Sequence, residues 1–295
     1  MSVALQDFLR FEEVTSKHAS LLDSWIYSPE LKEIYGRGDK KFVVYDKEKP
    51  FGYIQSYDVC LNHEYAAYAR SEGKTAGIDL LIGDKSFLKK GYGFSMLQQF
   101  VSWLGPEVER ILVDPRKEVF HFFEKFGFIQ LGECKERSIL AMNLRKAVRG
   151  IILDGDENIL LIRMRADPMK GEQKHLTEFW LAPGGKIEEG ESDEEALRRE
   201  IKEETGFEDV HIERFLFVHE RLNTRHGFPL RLFNRYYLVR SQETEVHPKG
   251  LEEYEKDIVL GYKWWSLDEL SATQETVFPP NLVQKIGDCI TWRGN

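Results

Sequence analysis

Apolar positions recur with two rhythms along this 295-residue chain. The stretch LRFEEV (9–14) reads as a short strand. From Ser16 to Tyr35, Leu21, Leu22, Trp25 and Ile26 fall at helical spacing. Ser28-Pro29 ends that helix and starts a second, because proline lacks an amide proton and fits only a first turn. KFVVYD and FGYIQSYDV read as strands joined by the turn KEKP. GIDLLI (77–82) reads as a buried strand, Lys89 to Gly93 as a basic, glycine-bearing loop, and Phe94 to Leu104 as an amphipathic helix. SILAMNLRK, from Ser138, closes this first set of elements.

A second set begins at once. KAVRGIILDGDENILLIRMR is two apolar strands around the turn Asp154-Gly155-Asp156-Glu157. A polar loop over 166–178 leads into FWLAPGG and an acidic helix. The strands DVHIERFLFVHERL and PLRLFNRYYLVRS come next. Trp264-Trp265 closes on SLDEL, which reads as a capped final helix. The pattern is α/β in two domains, 1–146 and 147–295. With almost no linker between them, a fixed relative orientation is expected.

Composition narrows the function. No apolar run reaches membrane length, and MSVALQDFLRFEE has neither a basic nor an apolar leader segment, so a soluble, cytoplasmic protein is expected. Cys60, Cys134 and Cys289 are odd in number and far apart, which speaks against a disulfide framework or a zinc cluster. The net charge of −9 lies wholly after residue 146: 21 acids balance 21 bases before it, and 29 acids face 20 bases after it. An acidic half repels a nucleic-acid polymer. It suits a site that recruits a metal and lets the metal handle phosphates. Exposed aromatics leave a homodimer open.

The candidate chemistry of the second half sits between Gly185 and Phe207. Glu200, Glu203 and Glu204 stand at i, i+3 and i+4 and share one helical face. Carboxylates about 4 Å apart repel by roughly 4 kcal/mol per pair at a surface-like dielectric. A hard divalent cation, magnesium or manganese, relieves that. Arg199 can orient one of the acids, and Gly184-Gly185 permits a sharp turn and a close approach to a ligand. Gly185, Glu191, Arg199, Glu200, Ile201, Glu203, Glu204, Gly206 and Phe207 fill all nine positions of the Nudix box, which this segment resembles. The resemblance implies a Nudix α/β/α sandwich that hydrolyses a nucleoside diphosphate linked to another group. It implies metal ligands at Glu200, Glu203, Glu204 and the Gly185 carbonyl, with Glu203 or Glu204 as base. Glu220 is a further candidate ligand or base. Arg163, Arg165, Arg221 and Arg231 are candidate phosphate contacts. Trp180 is set either to stack on a base or to pack half-buried. Leu222-Asn223 stands where some subfamilies carry the Pro or Tyr that marks ADP-ribose or dinucleoside-polyphosphate substrates, so neither mark is present.

In the first half, a strand, a glycine loop and a helix N-terminus make an anion site from free N–H groups and the helix dipole. Lys90, Gly91, Tyr92, Gly93 and Phe94 are the candidate contacts. The half resembles GNAT acyltransferases, with Leu88 where Gln or Arg is usual. It is more similar to aminoglycoside 6′-N-acetyltransferases through Gly52-Tyr53-Ile54-Gln55, Gly77-Ile78-Asp79 and Asp114-Pro115. That implies a twisted mixed sheet with flanking helices, splayed at its centre to admit acetyl-CoA. It also implies a base at Asp79 and an acceptor-binding carboxylate at Asp114. Glu64, Tyr65, Tyr68 and Glu72 are candidate walls for an amine acceptor. The family pattern departs at Phe123, where a tyrosine often stands, so a phenol to protonate the leaving thiolate is missing. The rival reading is a nucleotide-binding sensor with an inert first half; the complete set of box glutamates speaks against it for the second half.

Overall fold

The computed structural model describes residues 9–36, 38–61, 65–69, 73–134, 137–165, 178–225, 228–250 and 253–289. The chain divides into two compact units, Met1–Leu144 and Arg145–Asn295. Among the described residues no helix is long and apolar enough to cross a membrane.

The first unit holds β1 (Arg10–Glu13), α1 (Ala19–Trp25), α2 (Pro29–Gly36), β2 (Lys40–Asp46), β3 (Lys49–Asp58), β4 (Lys74–Ile82), α3 (Tyr92–Trp103), β5 (Val108–Val113), α4 (Phe120–Phe126), β6 (Ile129–Cys134) and the start of β7 (Arg137–Leu153). The break at Ser28-Pro29 forms as expected: Ser28 Oγ accepts from Leu31 N–H, and Pro29 takes the first helical position. Strands β1 to β4 pair antiparallel in chain order, β4 and β5 pair parallel, and β7 pairs antiparallel with β5 and β6. Helix α3 turns the buried stripe Met96, Leu97, Phe100 and Val101 inward. It begins at Tyr92, two residues earlier than the apolar pattern predicts, because Gly91 adopts the left-handed conformation (φ 89°) as its N-cap.

One register decides what this unit can hold. The parallel β4–β5 pairing runs from Lys74↔Val108 to Gly77↔Leu112 and stops. β4 continues to Ile82 against β3 alone, where Gly52↔Ile82 is the last pair. The sheet therefore opens between β4 and β5 from Ile78 onward.

The second unit holds the rest of β7, β8 (Ile159–Arg165), β9 (Glu178–Leu181), α5 (Asp193–Thr205), β10 (Val210–Arg225), β11 (Phe228–Ser241), α6 (Glu253–Ile258), β12 (Val259–Trp265), α7 (Leu267–Ala272), β13 (Val277–Phe278) and α8 (Leu282–Cys289). β8 lies between β12 and β9, β9 pairs with β13, and the β10–β11 hairpin joins β7 through β11. Alternation along β7 and β8 gives the sheet two buried faces. Ile151, Leu153, Ile159 and Leu161 pack with Leu270, Leu282 and Ile286 on one side. Val148, Ile152 and Leu160 pack with Ala196, Leu197 and Ile201 on the other. This is an α/β/α sandwich. The helix over SLDEL is α7, capped by Ser266 and Glu269. It is not the last helix, because α8 comes after it and supplies Leu282 and Ile286 to the core.

Helix α5 is fastened at both ends. Ser192 Oγ accepts from Glu195 N–H, while the Glu195 carboxylate accepts from Ser192 N–H. At the other end Lys249 and Gly250 N–H donate to Glu203 O, and His247 N–H donates to Thr205 O. Ser192→Ala is expected to lower the stability of the second unit by about 1 kcal/mol, read as a shift in its urea midpoint at unchanged slope.

Candidate functional site

In the second unit the acidic face of α5 meets the turn Pro183–Gly185. Leu197 and Ile201 bury toward the sheet, which leaves Glu200 and Glu203 on the adjoining face and Glu204 at its buried edge. Gly184 has φ 134°, and a β-carbon there would lie 2.2 Å from Val148 O. A β-carbon on Gly185 would lie 2.3 Å from Glu200 Oε2. Only glycines let this turn press against the carboxylates. Gly184 N–H donates to Glu204 Oε2 at 2.6 Å. The Gly185 carbonyl accepts from Val148 N–H at 3.0 Å, and a carbonyl keeps a second lone pair.

Arg199 holds the cluster together. It makes a two-pronged pair with Glu191, Nε to Oε1 at 2.7 Å and Nη2 to Oε2 at 2.9 Å. Its Nη1 donates to Glu200 Oε1 at 2.8 Å and Glu203 Oε2 at 3.2 Å, and its Nη2 also reaches Lys186 O. The guanidinium is bound more tightly to its proton than usual, chiefly through Glu191. Arg199 in turn holds Glu191 down to a pKa of about 2. Glu200 is shifted the other way: burial raises it, and Arg199 offsets part of that rise. Arg149, which the sequence pattern gave no reason to single out, donates from Nη1 to Ala182 O and Gly184 O and lies in the electrostatic range of Glu200.

The donor set, carboxylates and a backbone carbonyl around a glycine cradle, fits a hard divalent cation. Among the described residues no three acidic or imidazole groups already converge as a chelate. The guanidinium of Arg199 bridges Glu200 and Glu203, and Glu204 is turned to Gly184.

The remaining candidates of this unit lie in other settings. Trp180 is buried, its Nε1–H donates to Glu275 and its ring meets Trp265 edge-on, so it packs in the core rather than offering a face to a base. Arg163 lies over the Trp180 ring and pairs with Glu178. Glu220 pairs with Arg231, whose burial lowers its pKa to about 10. Arg221 lies over Phe278. All but the last residue of the 166–178 loop falls outside the described residues.

In the first unit, the opening between β4 and β5 is a cavity of about 700 Å³. Asp79, Asp114, Gly91, Gly93 and Phe94 all line it. Asp79 is buried and accepts from Gln55 Nε2 at 2.7 Å; Gln55 also donates to Ile34 O and accepts from Tyr53. Burial, with Asp79 second, raises the Tyr53 phenol. Asp114, also buried, accepts from Tyr65 at 2.6 Å and from Arg137 Nη1 at 3.3 Å. Phe123 lines the cavity with Phe122. Lys89 lines it; Lys90 and Tyr92 do not. Tyr92 instead donates to Asp46 and packs on Phe51 and Phe87, so its side chain is structural. Tyr68 donates to Glu133 O. Glu64 and Glu72 lie outside the described residues.

Residues 143–286 match the model of the NUDIX domain, and residues 28–135 that of the acetyltransferase (GNAT) domain. The 8-oxo-dGTP diphosphatase of Escherichia coli is 33% identical over 131 residues, 44% of this chain and 84% of that relative. The chain belongs to the Nudix family. The Nudix unit is also similar to the ADP-ribose pyrophosphatase of Methanocaldococcus jannaschii, 50% identical over 60 residues, which are 20% of this chain. The chain spans 31% of the length of that relative. The GNAT unit has a likeness to the structure of aminoglycoside acetyltransferase AAC(6′)-Ib with coenzyme A, at 21% identity and a TM-score of 0.39 over 46% of this chain and 95% of that one.

The Arg199–Glu191 pair ties the Nudix unit's stability to pH. Glu191 is held below its ordinary 4.5, so its ionised form contributes stability above pH 4.5 and loses it as pH falls toward 2. Chemical denaturation at stepped pH is expected to show this loss in the wild type and a flatter profile in Glu191→Gln.

Proposed function

We propose that the chain is a bifunctional enzyme. Its Nudix unit hydrolyses a nucleoside diphosphate linked to another group, and its GNAT unit transfers acetyl from acetyl-CoA to a primary amine. For the hydrolase, the carrying observation is the acidic face of α5 pressed against the Gly184-Gly185 turn with Arg199 between its carboxylates. Glu200, Glu203, Glu204 and the Gly185 carbonyl would hold magnesium or manganese, which would supply charge neutralisation for the diphosphate and lower the pKa of a bound water. Glu203 or Glu204 takes the proton of that water. Glu220 is already paired with buried Arg231, which argues against a role as the base. Arg199 and Arg149 orient the carboxylates and the turn. A relative that is an ADP-ribose pyrophosphatase and another that is an 8-oxo-dGTP diphosphatase support a nucleotide with a diphosphate bond as substrate.

For the transferase, the carrying observation is that the strand opening, both aspartates and the start of α3 share one cavity. No side chain caps α3, so its first N–H groups suit the pyrophosphate of the cosubstrate, with Lys89 beside them. Asp79 takes the proton of the attacking ammonium, and Gln55 fixes one of its oxygens. The C–N bond forms as the C–S bond breaks, and the thiolate takes its proton from water, since Phe123 has no hydroxyl.

Two measurements test these readings. Mass spectrometry of ADP-ribose, oxidised and normal nucleoside triphosphates, dinucleoside polyphosphates and coenzyme A is expected to show magnesium-dependent cleavage of one class. Glu204→Gln is expected to lose that cleavage by about 10²-fold or more; cleavage that survives chelation or this change sinks the hydrolase assignment. Asp79→Asn is expected to cut kcat/KM for acetyl transfer by about 10²-fold or more with acetyl-CoA affinity retained. An unchanged rate rules Asp79 out as base.

A further inference from the structure

We infer that Arg149 binds a phosphate of the Nudix substrate through the Nε–Nη2 edge of its guanidinium. This inference rests on the hydrolase reading and adds a substrate-binding residue to it.

Three consecutive residues of β7 hold the glycine turn. Val148 N–H donates to Gly185 O at 3.0 Å, and Gly150 N–H donates to Pro183 O at 2.8 Å. The alternate carbonyls, Ala182 O and Gly184 O, accept from Arg149 Nη1. Both protons of Nη1 are thereby used, and the guanidinium is pinned at one corner beside the turn.

The other edge is unused. Arg149 Nε is buried with no acceptor among the described residues, and Nη2 has none there either. Arg199 presents the same two atoms to Glu191 as a two-pronged fork. Arg163, Arg199 and Arg231 each pair with a glutamate, whereas Arg149 makes no ion pair among the described residues. A half-buried cation without a counter-ion is costly, and an anion that reaches the fork relieves that cost. Two oxygens of a phosphate match the planar fork.

The position of Arg149 selects the anion. It shares a face of β7 with Ile151 and Leu153, opposite the face that packs on α5. Its charge is nevertheless felt on both sides. Burial raises the Glu200 carboxyl, and Arg149, after Arg199, opposes that rise. Burial likewise raises the Tyr236 phenol to about 12 against the pull of Arg149. A diphosphate drawn to Glu200 by a cation therefore comes into the neighbourhood of this guanidinium.

The test titrates the full chain by calorimetry with Mn²⁺ and with methylenebisphosphonate, a diphosphate mimic whose P–C–P link resists hydrolysis. At saturating Mn²⁺, Arg149→Gln is expected to weaken bisphosphonate binding at least about tenfold. Mn²⁺ binding itself is expected to hold within about threefold or to tighten, since a cation has left the neighbourhood of Glu200. A residue that only clamps the turn would instead weaken both together. Arg149→Lys keeps the charge and loses the fork, so bisphosphonate binding is expected to weaken about threefold. That variant decides if Arg149→Gln does not fold. Unchanged bisphosphonate affinity in the deciding variant, a matching loss of Mn²⁺ affinity, or no bisphosphonate binding by the wild type overturns the inference. Absence of Mn²⁺ binding by the wild type removes the hydrolase reading instead, and the metal-free bisphosphonate titration at low salt then judges Arg149 by the same comparison.

Discussion

Arg199 is the interaction on which the Nudix unit depends. Four carboxylates, Glu191 in the loop before α5 and Glu200, Glu203 and Glu204 on the helix itself, gather around Arg199 and the turn that α5 faces. Unrelieved, each close pair costs roughly 4 kcal/mol at a surface-like dielectric. One guanidinium meets three of them and a backbone carbonyl, and the Gly184 N–H meets the fourth. The planar fork of arginine is what makes this geometry available; a lysine ammonium has no second parallel prong for Glu191. The capping box at Ser192 and the segment 247–250 then hold the helix that carries the cluster.

The GNAT unit depends on a constraint of a different kind, an interruption. Strands β4 and β5 pair only as far as Gly77↔Leu112, and beyond that pair their residues line a cavity instead of meeting each other. Asp79 lies two residues past the last pair on β4 and Asp114 two past it on β5. Both acids are thereby brought to the opening, yet with different companions: an amide on Asp79, an arginine and a phenol on Asp114. The same separation exposes β4 backbone to an extended ligand, the arrangement that strand addition exploits.

Local pattern carried much of this. The period of two along β7 and β8 and the 3.6 period of α3 and α5 are properties of adjacent residues, so the layers of both units were readable. The nine box positions lie within 23 residues, and most sit on one helix whose pitch fixes their spacing. The Ser28-Pro29 break and the Asp154 turn were readable for the same reason; Asp154 Oδ1 accepts from both Asp156 and Asn158 N–H.

Contacts between distant segments decided the rest. Arg149 sits in a plain apolar strand, and only the packing of β7 against the Pro183–Gly185 turn directs it toward the carboxylates. Trp180 was open to two readings until Glu275 and Trp265 closed over it, 95 and 85 residues away. Tyr92 belongs to a ligand loop by position, yet its half-buried side chain is tied to the end of β2 by its bond to Asp46. Gly91 ended the loop two residues early because backbone conformation, not hydrophobic spacing, sets a helix start. The sequence by itself determined the two folds and the acidic helix, since these arise from short-range periodicity and spacing. Tertiary structure alone decided which charges meet, because a side chain's partner depends on what the rest of the fold brings to it.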